Sequence, residues 1–214
     1  DNTPPEIICP ADLTISCIDS TDPSNTGSAT CEMNENPTYT DQYVYTDCVG
    51  VYDIIRTWTC TDVWVNYALC VQIISVIDNQ APSITCPADV YLDCNASTDP
   101  GTTGFATAQD LCDSQVQITW TDTETASNCP SNYTITRVWT ARDCAGNSSS
   151  CVQLINVIDS TPPQITCPAD LLLNCENPSD PSATGYATAT DDCSTVIVSF
   201  NDISVPGNCV PSIE

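Results

Sequence analysis

The groups in this chain able to do chemistry are thiols and carboxylates: 16 cysteines and 28 acidic residues stand against three arginines, with no lysine and no histidine. Without an imidazole or an amine, the usual general bases and the partners of an activated nucleophile are missing. Carboxylates remain, but a glycosidase-type pair needs a concave pocket, which small repeated units do not offer. The chain therefore reads as non-catalytic. Its thiols show no C-x-x-C pair, so the usual zinc spacings are absent as well. An even number of cysteines spread along the chain points instead to disulfides formed in an oxidising, extracellular compartment.

The elements that hold these groups are set out by a repeat. DNTPPEIICPADLTISC at Asp1 to Cys17 returns as DNQAPSITCPADVYLDC at Asp78 to Cys94 and as DSTPPQITCPADLLLNC at Asp159 to Cys175. A period of about 80 residues marks tandem folding units, here 1–77, 78–158 and 159–214. A unit that small buries a marginal core, and disulfides supplement it.

Aligning the copies on Gly27, Gly104 and Gly185 sorts the cysteines. Cys31 and Cys60 fall where the second copy has Ala108 and Ala141, while Cys112 and Cys144 fall where the first has Glu35 and Val63. A bridge needs Cα atoms within about 7 Å, so a relocated cysteine takes its partner along. This pairs Cys31 with Cys60 and Cys112 with Cys144. The cysteines that keep their places allow three connectivities. The preferred one joins Cys9 to Cys70 and Cys86 to Cys151, because first and last strands of a sandwich open near one pole. It leaves Cys17 with Cys48, Cys94 with Cys129 and Cys175 with Cys209. Cys167 and Cys193 are left unpaired within the chain. The third copy stops where the second continues into ITRVWTARDCAGNSSSCVQLINVI, so its last two strands come either from a longer repeat chain or from a neighbouring subunit.

Periodicity within a unit is that of strands. Val116, Ile118 and Trp120 alternate with polar residues, as do Val196, Val198 and Phe200. About seven short strands per unit, divided by Pro, Gly, Asn and Asp, predict an all-β chain of tandem immunoglobulin-like antiparallel β-sandwiches, the third incomplete. Arg56 and Arg137 each precede a tryptophan by two residues and share its strand face, as expected of a structural cation–π or carboxylate pair. Tyr39, Tyr43, Tyr45 and Tyr52 cluster in the first unit and read as strand packing, with sugar stacking as the second reading.

A net charge of −25 repels nucleic acid and anionic lipid, and no apolar run approaches the ~20 residues of a membrane span. Asn95, Asn132 and Asn147 open N-glycosylation sequons, all in the second unit, and covalent glycans are expected there or on Ser and Thr. Asp1, Asp78 and Asp159 recur at the joints. Each fits a solvated carboxylate capping a turn. The linker VIDNQAP at Val76 to Pro82 is also similar to that of cadherins, which makes a structural calcium at these aspartates the second reading.

The frame D-x-T-x-P-x-I-x-C-P-A-D, the R-T-W-T-C-T-D or R-V-W-T-A-R-D strand, and C-V-Q-x-I-x-V-I-D together resemble the HYR-type immunoglobulin-like repeats of extracellular proteins, above all the cysteine-bearing versions arrayed on bacterial surface proteins. The resemblance covers the whole chain. It implies a fold and says little about activity, since such modules serve as stalks, fibres and adhesive spacers. The expectation is a non-catalytic component of an extracellular stalk or fibril, secreted or at the cell surface, self-associating or continuing in a longer chain. The alternatives are an adhesin or carbohydrate-binding module, or the spacer of a larger secreted protein.

Overall fold

The computed structural model of the chain describes residues 2–32, 36–127, 131–174 and 177–205. The first unit runs β1 (Ile7–Ile8), β2 (Leu13–Ser16), α1 (Pro23–Thr26), β3 (Thr30–Cys31), β4 (Thr38–Tyr45), β5 (Tyr52–Thr61) and β6 (Tyr67–Ile77). The second repeats it as β7 (Ser83–Thr85), β8 (Val90–Asp93), α2 (Pro100–Thr103), β9 (Thr107–Gln109), β10 (Gln117–Ala126), β11 (Tyr133–Arg142) and β12 (Ser148–Ile158). Each of these two units is a sandwich of a four-stranded sheet, ordered β2-β6-β5-β4 or β8-β12-β11-β10, and a two-stranded one, β1-β3 or β7-β9. The fold is all-β and immunoglobulin-like. A described unit has six strands rather than about seven, and one pairing departs from the antiparallel rule. β2 runs parallel to β6, with Leu13 opposite Ile74, and β8 runs parallel to β12. The cause is the Cys-Pro-Ala-Asp step after β1 and β7, where proline ends one ladder and lets the chain cross to the other sheet.

Alternation along the long central strands decides what is buried. On β5, Ile54, Arg56, Trp58 and Cys60 face inward, and on β6, Gln72, Ile74 and Val76 meet them. Ile15, Ile54, Ile74 and Val76 form the apolar core of the first unit, and Ile135, Ile155 and Val157 that of the second.

Between these apolar layers lies a polar one. Arg56 is 1% exposed; its Nε and Nη2 donate to Asp41 Oδ1 and Oδ2 at 2.8 and 2.9 Å, its Nη1 to Thr26 Oγ1 and its Nη2 also to the Thr21 carbonyl. The guanidinium lies 4.4 Å from the Tyr39 ring centroid and 5.8 Å from that of Trp58. Trp58 Nε1 donates to Gln72 Oε1, and Gln72 Nε2 donates to the carbonyls of Ala11 and Thr26. Every bond recurs in the second unit through Arg137, Asp122, Thr103, Thr98, Trp139, Gln153 and Ala88. The short helix that supplies Thr26 starts with Pro at its first turn and ends at Gly27, whose φ of 89° and close approach to Pro10 disfavour a side chain.

The third unit contributes β13 (Gln164–Thr166), α3 (Pro181–Thr184) and β14 (Thr188–Thr190). Val196, Val198 and Phe200, expected on a strand, lie outside any strand. In the complete units the matching strands β4 and β10 pair with β5 and β11, and the third unit has no such partner among the described residues. A single strand without a ladder leaves its backbone groups unpaired, so alternation alone does not form one.

Breaking a buried ion pair by removing one partner costs about 3–5 kcal/mol, against about 0–1 kcal/mol for an exposed pair. Arg56→Ala is expected to destabilise the first unit by an amount in the upper range, measured by urea denaturation followed through tryptophan fluorescence. Arg137→Ala should cost less, because the Asp122 side chain is 36% exposed against 14% for Asp41.

Candidate functional joint

The chemistry of this chain gathers where one unit meets the next. Cys17, at the end of β2, and Cys48, in the hairpin between β4 and β5, sit at the pole of the first unit that faces the second. Cys17 is bridged to Cys112 and Cys48 to Cys144, with Cα separations of 5.8 and 5.5 Å. The expected pairs Cys17 with Cys48 and Cys112 with Cys144 are thereby corrected: four residues assigned to bridges within units form two bridges between them. Around them, Cys17 N donates to the Ile77 carbonyl and Ser16 Oγ to Asn79 Oδ1. Gly50, at φ 85°, lies so close to the Cys112 backbone that an added Cβ would sit 2.7 Å from its carbonyl oxygen.

The next joint repeats the device. Cys94 is bridged to Cys193, Cα atoms 6.0 Å apart, which corrects both the expected Cys94 to Cys129 pair and the expectation that Cys193 is unpaired. Asn95 Nδ2 donates to Asp192 Oδ2, Ser131 Oγ to the Cys193 carbonyl and Ser160 Oγ to Asp93 Oδ2. Cys129, Cys175 and Cys209 lie outside the described residues, so the Cys175 to Cys209 pair is not described. Within units, the structure joins Cys9 to Cys70, Cys86 to Cys151 and Cys31 to Cys60. Cys167, which aligns with Cys9 and Cys86, is an exposed free thiol.

The signal for the inter-unit bridges was present in the alignment. Cys112 and Cys193 occupy one repeat position, where the first copy has Glu35, and each is joined to the copy before it. Two positions that change together between copies need not touch within a copy. They also change together when both answer to a neighbour.

Beside the Cys17–Cys112 bridge lies a group of carboxylates. Asp78 follows β6, Asp110 follows β9 and Asp143 follows β11; one carboxylate oxygen from each lies within 4.8 Å of the others. Asp78 and Asp143 are 7% and 5% exposed, and the neighbouring Asp113 1%. Much of this carboxylate capacity organises loops. Asp110 Oδ1 accepts from the Cys112 and Asp113 amides, Asp143 Oδ1 from those of Gly146 and Asn147, Asp113 from those of Gln115 and Cys144, and Asp78 Oδ1 from that of Gln80. The second oxygens of Asp78 and Asp110 are buried with no hydrogen-bond partner. Burial raises the Asp78 pKa, and the charges of Asp110, Asp143 and Asp113 add to the rise against the opposing Gln80 amide bond. Two of the three arginines are engaged in the unit cores, with Asp41 and Asp122. The sulfurs of Cys17 and Cys112 are consumed in their bridge, so a metal held here would be held by oxygen.

Of the other singled-out residues, Asp1 lies outside the described residues, and Asp159 stands at the second joint with Asp191, whose Oδ2 is buried and unpartnered. The Asn147 amide donates to Asp143 Oδ2 and the Asp78 carbonyl, so a glycan there would replace bonds that hold the joint. Asn132 Oδ1 accepts from the Asp159 amide. Tyr43, Tyr45 and Tyr52 pack on one another with centroids 5.7 to 6.0 Å apart. No described helix is long and apolar enough to cross a membrane.

No protein-family model matches the chain, and no curated protein matches it in sequence. Among solved structures it is similar to the first four extracellular cadherin domains of protocadherin gamma B7, at 16% identity and a TM-score of 0.30, covering 79% of this chain and 55% of that one. It is also similar to Drosophila N-cadherin domains 1–4, at 13% identity and 0.31, over 78% and 54%. Human mucin-like protocadherin domains 1–2 align at 11% identity and 0.31, over 73% and 98%. The chain thus spans about half the length of the first two.

Non-reducing peptide mapping after pepsin digestion at low pH, where thiolate-driven exchange is suppressed, is expected to recover Cys17 linked to Cys112 and Cys48 linked to Cys144. Recovery of a Cys17–Cys48 peptide as the main species would overturn the joint.

Proposed function

We propose that this chain is a stiff, non-catalytic segment of an extracellular stalk or fibril, made of HYR-like immunoglobulin-like units whose joints are covalently stapled. The observation that carries this reading is the pair of bridges Cys17–Cys112 and Cys48–Cys144 across one joint. Two units on a flexible linker sample many orientations. Two bridges about a linker restrain both hinge and twist, which serves a mechanical element and does nothing for a catalyst. The disulfides support a location outside the reducing cytosol, and on this reading the chain is secreted or held at a cell surface. On this reading the units continue in a longer repeat chain or associate with further copies, and negative charge keeps the array soluble. Glycans, where carried, fall on surface Ser and Thr rather than on Asn95 or Asn147, whose amide nitrogens hold bonds at the joints.

A second reading, an adhesive or carbohydrate-binding first unit, rests on its exposed apolar side chains. Tyr45, Trp64 and Tyr67 are 73%, 56% and 61% exposed, and Val63 and Val65 flank Trp64 in a loop that the second unit builds as Cys-Ala-Gly.

The stiffness reading is tested by spin labels on the first and second units, with distances measured by double electron–electron resonance. The native chain is expected to give one narrow distribution, and the Cys48→Ser/Cys144→Ser variant a distribution at least about twice as broad. Equal breadth in the two would remove the mechanical role, and saturable binding on a glycan array lost in Trp64→Ala would favour the adhesive one.

A further inference from the structure

We propose that Asp78, Asp110 and Asp143 form a Ca²⁺ site in the joint between the first two units. The site rests on the geometry of the joint and stands independently of the stalk reading.

Three features carry it. The first is unmet bonding capacity: Asp78, 7% exposed and a member of the group, holds a buried oxygen with no hydrogen-bond partner, and Asp110 holds a second. A buried, unpaired carboxylate oxygen is costly, and the cost is removed most directly by a cation. The second is span. The three oxygens lie within 4.8 Å of one another, and two ligands on opposite sides of Ca²⁺, at 2.3–2.6 Å each, stand about 5 Å apart. Oxygen donors without a usable thiolate or imidazole select hard cations, and water completes the coordination.

The third is distribution along the repeat. The first unit has Met33 at the position of Asp110, so its sequence does not carry the triad, although Asp1 and Asp62 match Asp78 and Asp143. The second joint begins the same group again with Asp159 and Asp191, and Asp191 Oδ2 is once more buried and unpartnered. Carboxylates with unpartnered oxygens thus stand at both joints of the chain. A bound Ca²⁺ ties Asp78, on the linker, to loops after β9 and β11, and so fixes the linker to the second unit next to the bridge that joins the two units.

The experiment is calcium titration of the whole chain, freed of metal by chelation, followed by calorimetry and by thermal unfolding. One saturable site is expected with Kd of about 10⁻⁴ to 10⁻³ M, the range of extracellular calcium modules. Asp110→Asn keeps the oxygen that accepts from the Cys112 and Asp113 amides and removes the charge. It is expected to weaken calcium binding at least about tenfold, and Asp78→Asn likewise. Asp53→Asn, at an exposed position on β5, should bind as the native chain does. In chelator, Asp110→Asn should melt at or above the native chain, because like charges are relieved; in calcium the order should reverse. A proton shared between Asp78 and Asp110 is the competing account. It predicts no saturable heat and no calcium-dependent shift in melting, and that result overturns the proposal. So does equal destabilisation by Asp110→Asn with and without calcium, or equal affinity for Mg²⁺.

Discussion

Each of the first two units depends on one buried guanidinium. Arg56 and Arg137 are 1% and 2% exposed, and each ties together a strand carboxylate, a threonine on the short helix and a backbone carbonyl before it. A unit of about 80 residues has too small an apolar core to fix two sheets and a connecting loop by packing alone. The cation replaces part of that core with directional bonds, and the cost of burying it is met by four donors in use and by aromatic faces above it. The neighbouring glutamine completes the layer by satisfying both the indole and two loop carbonyls. The polar layer therefore sets the distance between sheets and holds the Cys-Pro-Ala-Asp crossing in place.

Because the sheets are so fixed, the poles of each unit are presented in a defined geometry, and the joint follows from that. The β4–β5 hairpin delivers Cys48 and Gly50 to the second unit, β2 delivers Cys17, and the bridges form with Cα separations of 5.5 to 5.8 Å, within the ordinary range for a disulfide. The same joint concentrates negative charge in a chain with few cations. Staples and carboxylates are there for related reasons, since both act on the one short linker that would otherwise bend.

The long central strands were legible from alternation: Ile54, Arg56 and Trp58 share a face in the sequence and in the fold. The same alternation at Val196 to Phe200 produced no strand, because a strand exists only with a partner to receive its hydrogen bonds. The joint acids divide in the same way. Asp78 was visible as a repeated residue at a unit boundary, but Asp110 and Asp143 lie 32 and 65 positions along the chain from it by their numbering, and no local pattern links them.

The sequence by itself determined the repeat, the β class, the stapled character and the absence of histidine and lysine chemistry, because these are properties of composition and of local period. Which cysteine meets which across a joint, and which carboxylates are left with an unpaired oxygen, was decided only by tertiary structure. Covariation between copies identified cysteines that change together. It did not say whether they answer to each other or to a neighbour, since a disulfide reports distance in space and the repeat reports only position in the chain.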